Sequence, residues 1–216
     1  LTARAARSTV TPVSQQQRWA SVVKTLLLGL LVSALGLLTG GAVSWWQSGQ
    51  TRDTSVAGFW STDPDIGSAN PDGLLRARVA RVGLFALTRD EAVYFSRAAD
   101  DAGAPLDPAC TYRLSGGSLP AGWWSVTLYA EDSFLARNAD QAASVNAQSP
   151  GLNPTAWTAS IGPTRPADGT PWLSTRATRS FDLTLRLYEP EPSVFEPGAS
   201  LTFPTLTRLS CPGGTP

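Results

Sequence analysis

Phe181-Asp182-Leu183-Thr184-Leu185-Arg186-Leu187-Tyr188 alternates apolar and polar residues without interruption. Successive strand side chains point to opposite faces, so Phe181, Leu183, Leu185 and Leu187 form a buried face. Asp182, Thr184, Arg186 and Tyr188 form an exposed or interfacial one. Upstream, Trp124, Val126 and Leu128 set against Ser125, Thr127 and Tyr129 repeat the pattern, and shorter runs of strand-forming residues lie at Ala92–Arg97, Thr111–Leu114, Trp157–Ile161 and Trp172–Thr175. Clusters of Gly, Pro, Asn and Asp separate them. Several half-buried strands joined by turns predict a mainly β chain, an antiparallel β-sandwich of jelly-roll type. Before the strands, Asn70-Pro71-Asp72 offers a helix cap, followed by Leu75, Val79, Val82 and Ala86 at helical spacing with Arg76 and Arg81 off that stripe. One amphipathic helix packed on the sandwich is expected.

A different pattern governs the N-terminal region. From Thr25 to Trp46 there is no charged residue, a length that crosses a hydrocarbon core of roughly 30 Å as a helix. Arg4, Arg7, Arg18 and Lys24 precede the run with no acidic residue among them, Trp45 and Trp46 end it, and the offsetting pair Arg52 and Asp53 follows. Basic flanks favour the cytoplasm and tryptophans the headgroup boundary, so the expected topology is a single-pass bacterial inner-membrane protein, N-terminus cytoplasmic and C-terminal domain periplasmic. A cleaved secretory signal is the rival, because Ala42-Val43-Ser44 resembles a small-residue cleavage site. Its apolar core would be longer than the usual 7–15 or so residues. The resulting division is a basic tail over 1–22, a transmembrane helix over 23–46, a linker or stalk over 47–70, and the periplasmic sandwich over 71–216. Gly29, Ser33, Gly36 and Gly40 fall on one narrow stripe of the span, a smooth face of the kind on which membrane helices dock.

Composition excludes several chemistries. Lys+Arg and Asp+Glu both total 17, with Lys24 the single lysine, and no basic footprint for nucleic acid emerges. Histidine is absent, which removes Ser-His-Asp and Cys-His catalysis and the usual mixed zinc sites. Methionine is absent too, and the start at Leu1 is read as a missing initiator or an alternative start codon translated literally. Cys110 and Cys211, facing an oxidising compartment, are expected to form a disulfide that pins the C-terminal segment. Asp63, Asp65 and Asp72 cluster near the stalk but lack the glycine and terminal acid of a calcium loop, so they read as turn residues. No metal and no cofactor is expected.

The strand strings also carry a resemblance. Glu91-Ala92-Val93-Tyr94, Leu106-Asp107, Tyr112-Arg113-Leu114, Leu119-Pro120, Trp124-Ser125-Val126-Thr127-Leu128-Tyr129, Asn138 and Leu183-Thr184-Leu185-Arg186-Leu187-Tyr188 resemble the bacterial domain of unknown function 1214, over roughly Leu74 to Cys211. The resemblance implies a β-sandwich related to jelly rolls and no established activity. Two departures stand out: Pro171-Trp172-Leu173-Ser174 replaces the Asn-Trp-Leu-Pro of many members, and Glu189 replaces a frequent tryptophan.

Three functions compete. The preferred one is a non-catalytic accessory or structural subunit of a larger membrane complex, respiratory and photosynthetic complexes being plausible hosts. Its partners would be integral membrane protein subunits and the lipid bilayer. The second is a membrane-tethered carbohydrate- or peptide-binding module using Trp123, Trp124, Tyr129, Trp157, Trp172 and Tyr188, with Tyr129, Arg186 and Tyr188 favoured because they lie opposite the apolar face. The third is a carboxylate-based hydrolase, for which Glu131-Asp132 and Asp100-Asp101 are the adjacent acids. Turn positions and the divergence of neighbouring strand side chains argue against it. Asp182 and Arg186 are expected in a surface ion pair or a cross-strand network, and Arg165, Arg176 and Arg179 on a solvated face open to lipid phosphate or an acidic partner.

Overall fold

The computed structural model describes residues 15–48, 54–63, 65–81, 87–196 and 201–212. They fall into two compact units, Leu1–Gly49 and Gln50–Pro216. The first contributes helix α1, Gln15–Ser48, whose stretch Trp19–Gln47 has 29 residues with a mean hydropathy of 2.2, long and apolar enough to cross a membrane. Its two threonine hydroxyls are satisfied within the helix: Thr25 Oγ1 donates to the Ser21 carbonyl at 3.0 Å and Thr39 Oγ1 to the Leu35 carbonyl at 2.8 Å. A Cβ added at Gly29, Gly36 or Gly40 would meet nothing within 4 Å, so this stripe is open. Helix begins earlier than the expected boundary, and residues 15–22 of the basic tail are helical. Arg4 and Arg7 lie outside the described residues.

The second unit is a two-layer sandwich. Its strands are β1 Thr54–Ala57, β2 Trp60–Thr62, β3 Ala92–Arg97, β4 Thr111–Gly117, β5 Ala121–Ala130, β6 Ser144–Asn146, β7 Ala156–Gly162, β8 Trp172–Ser174, β9 Phe181–Pro190 and β10 Thr205–Ser210. One sheet runs β1-β2-β3-β9-β5-β6 and the other β10-β4-β7-β8. The alternating segment β9 sits inside the larger sheet, paired antiparallel with β3 and β5. Both edges of its backbone are thereby satisfied. Its apolar side chains Leu183, Leu185 and Leu187 are at most 1% exposed, facing a core shared with Val126, Leu128, Leu114, Ile161 and Leu206. Between layers, Trp124 of β5 stacks on Trp157 of β7 with ring centroids 4.4 Å apart, and Tyr112 meets Phe181 edge-on at 6.2 Å. Gly116 makes room for that stack, since a Cβ there would lie 2.4 Å from Trp157 Cζ2.

Several expectations are revised. Residues 54–62 do not form a stalk: β1 and β2 extend the larger sheet, and Trp60 is 2% exposed, with its indole N–H donating to the Pro204 carbonyl at 2.8 Å. Their Ser/Thr-rich composition reflects an edge strand rather than a linker. The sandwich is not wholly antiparallel, because β8 runs parallel to β7 after the turn-rich segment 163–171. β6 and β10 add strands that short or weakly alternating sequence did not reveal. Helix α2 spans Gly73–Arg81, capped by Asp72, whose Oδ1 accepts the Leu75 N–H at 2.7 Å. Leu75 is buried, while Val82 and Ala86 of the expected stripe lie outside the described residues. Cys110 and Cys211 are disulfide-bonded, closing the end of the β4–β10 ladder where Thr111 pairs with Ser210.

Candidate functional site

Register turns the polar side of β9 into a continuous face. Tyr94 of β3 pairs with Arg186, which pairs across with Ser125 of β5. One step along, Ser61, Ser96, Thr184, Thr127 and Ser144 line up as a row of hydroxyls across five strands. The next rows outward hold Asp182 beside Tyr129 at one end and Tyr188 beside Trp123 at the other. Paired residues share a side of the sheet, so all these groups lie on the face turned away from the core.

Arg186 is its centre. One guanidinium nitrogen donates to Thr127 Oγ1 at 3.1 Å and another to the Tyr129 hydroxyl. Thr127 in turn donates to Ser144 Oγ at 3.2 Å, and Ser144 to the Val126 carbonyl at 3.0 Å. The Arg186 Cζ lies 5.3 Å from the centre of the Tyr129 ring and 5.8 Å from that of Tyr94. Trp123 and Tyr188 rest on one another with centroids 5.1 Å apart. Among the described residues no carboxylate forms an ion pair with Arg186, whereas Arg78, Arg97, Arg137, Arg176, Arg179 and Arg208 each have one. The expected Asp182–Arg186 pair is absent because positions four apart on a strand stand about 13 Å apart. The cross-strand network expected as its alternative is present.

Burial dominates the electrostatics of this face. It pushes the Asp182 carboxyl up to about 6, against the opposing influence of the Thr184 hydroxyl and the Arg186 charge. Burial also raises the Tyr94 phenol, whose oxygen accepts the Leu87 N–H at 3.3 Å.

The remaining sequence candidates serve structure. Trp124, Trp157 and Trp172 are 3%, 3% and 6% exposed and belong to the interior, so a groove lined by all six aromatic residues does not form. Glu131 accepts the Arg179 backbone N–H at 3.0 Å and its Nε at 2.9 Å, and its carboxyl is held down to about 2, chiefly by that backbone bond. Asp132 pairs with Arg137. Asp100 is buried against Arg208 and accepts the Ala102 and Ala104 N–H groups, while Asp101 bonds Arg97 and the Leu206 N–H. Asp63 binds Arg78 and Asp72 caps α2, and no group of three metal-ligating residues occurs among the described residues. Arg176 pairs with Asp140, and both it and Arg165 lie over the Trp172 ring.

Sequence reasoning names Trp123 among the aromatic candidates but misses Tyr94 and Thr127 as partners of Arg186. Each sits in an alternating run, but only the register between strands distant in sequence brings them together.

The strands that build this face also match a known family: residues 91–192 match Protein of unknown function (DUF1214). The likeness is confined to that segment. It covers β3 through β9, so the DUF1214 match takes in most of the Arg186 face and leaves β1, β2, α2 and β10 outside. None of the curated proteins matches the sequence. Among solved structures, the VPA0106 protein from Vibrio parahaemolyticus is similar in fold, with a TM-score of 0.54 and 18% identity over 93% of this chain and 47% of that one. The chain thus spans about half the length of that protein. An uncharacterized protein from Burkholderia cenocepacia aligns with 55% of this chain and 30% of its own at 17% identity and a TM-score of 0.42.

Proposed function

We propose that the chain is a single-span protein of a bacterial inner membrane, N-terminus cytoplasmic and sandwich periplasmic, serving as a non-catalytic accessory subunit of a larger membrane complex. The observation that carries this reading is α1: every side chain from Trp19 to Gln47 is exposed, Leu26, Leu30, Leu37 and Leu38 each by 62% or more. Water does not tolerate such a surface, whereas lipid and neighbouring helices cover it. Basic residues before the span favour a cytoplasmic start, and the Cys110–Cys211 bond fits an oxidising compartment. The open Gly29, Ser33, Gly36 and Gly40 stripe supplies a face for a partner helix.

Extraction in mild detergent followed by native electrophoresis tests the reading. The expected result is a band well above the monomer containing other integral membrane proteins, lost on Gly36→Leu with Gly40→Leu. Migration as a free monomer, unchanged by those substitutions, overturns it.

The Arg186 face favours a second reading, a membrane-tethered carbohydrate- or peptide-binding module. Its support is the gathering of Trp123, Tyr129, Tyr188 and Arg186 on one side of the larger sheet, residue types that concentrate at recognition surfaces.

A further inference from the structure

We propose that Arg186 binds the carboxylate of a small ligand whose ring-sized body lies on Trp123 and Tyr188; this deepens, and rests on, the binding-module reading. An arginine has five N–H donors, and the two hydrogen bonds of Arg186 leave three without a protein acceptor among the described residues. A carboxylate takes two parallel N–H donors from a guanidinium, so the unspent edge matches it in number and shape. Thr127 and Tyr129 hold the guanidinium through neutral oxygens and the rings of Tyr94 and Tyr129 flank it, which orients the group without neutralising it.

The class of anion follows from what else carries charge here. Asp182 shares the face, and Glu91, whose charge reaches Tyr94, is held by the Thr88 N–H at 3.0 Å and hydroxyl at 2.8 Å. Inorganic phosphate, a mixture of monoanion and dianion at neutral pH, would bring more than one negative charge on average to one cation and these acids. A carboxylate carries a single negative charge; along β9 the Arg186 backbone is one row from the Trp123–Tyr188 pair and two from Asp182, while its guanidinium reaches the Thr127 and Tyr129 hydroxyls. Those two rings offer flat contact to the remainder of the ligand.

The test is a titration of the full chain in nonionic micelles, with 15N-labelled arginine, following the Arg186 side-chain N–H signal and assigning it by its loss in Arg186→Lys. The probes are methyl glucuronoside, its neutral counterpart methyl glucoside, acetate and inorganic phosphate. The expected result is saturable binding of the glucuronoside, at least about tenfold weaker for the glucoside and for phosphate, as loss of a charge-assisted hydrogen bond requires. Arg186→Lys, which keeps the charge but not the fork, should weaken the glucuronoside about tenfold, and Tyr188→Ala should weaken it while leaving acetate unchanged. Equal affinity for glucuronoside and glucoside in the wild type overturns the carboxylate assignment and leaves a binding module standing. Absence of binding for all four probes overturns both.

Discussion

Replacing Asp182 by Asn should stabilise the protein at neutral pH, and the gain should vanish in acid. Burial raises this carboxyl from 3.8 to about 6, so the folded chain holds its proton to a higher pH than the unfolded one. Between about pH 4 and 6 the native state therefore binds more protons, and stability falls as pH rises through that window. Above it the charge is buried in every folded molecule, and the shift of roughly two units corresponds to a cost of about 3 kcal/mol. Asp182 is only partly buried, so solvent should reduce the measurable cost to about 2 kcal/mol. Asparagine removes the charge and keeps a carbonyl oxygen for the Thr184 hydroxyl. Urea unfolding of both proteins in nonionic detergent, followed by tryptophan fluorescence at several pH values, gives the difference directly, because the other carboxyls titrate alike in the two. The variant should gain almost nothing at about pH 4 and about 2 kcal/mol at pH 7. A difference that stays flat with pH, or a variant less stable at pH 7, refutes the reasoning.

Three further perturbations probe the fold. Cys110→Ser with Cys211→Ser should cost about 4–5 kcal/mol through the loop it reopens, read as a lower urea midpoint than the oxidised wild type. Trp60→Ala should cost about 3–5 kcal/mol, since the indole fills the core and lies 5.2 Å under Arg97, and an effect below about 0.5 kcal/mol would detach residues 54–62 from the domain. Gly116→Ala should destabilise by about 1–3 kcal/mol, against the stabilisation usual for this change in an open strand, because Trp157 is held by its stack on Trp124 and by a bond to the Gly117 carbonyl at 2.9 Å.

The parts of the fold legible in the sequence are those with a strong local period. β3 occupies Ala92–Arg97 as its composition indicates, and β5 and β9 extend by a few residues the alternation seen at 124–129 and 181–188. β1 and β2 were hidden because their serines and threonines resemble a linker, and only the burial of Trp60 by Pro204, 144 residues away, reveals them as part of the sheet. β10 alternates Leu206 inward against Thr205 and Thr207, too few apolar residues to stand out. The Arg186 face was half legible: Tyr129, Arg186 and Tyr188 follow from period two. The contributions of Tyr94 and Thr127 depend on register set by the whole sheet. Likewise Glu131 and Arg179, both noted separately, gave no sign of pairing with one another across 48 residues.

Everything proposed for this chain requires α1 to stay in the bilayer with the sandwich outside the cytoplasm. Fusions to the C-terminus of the full chain, one to alkaline phosphatase and one to green fluorescent protein, measure that arrangement when combined with an epitope tag before Leu1. Phosphatase activity, a dark fluorescent fusion and a tag retained on the membrane-bound product are the predicted result. A fluorescent fusion without phosphatase activity, or loss of the tag by cleavage near Ser44, would contradict it.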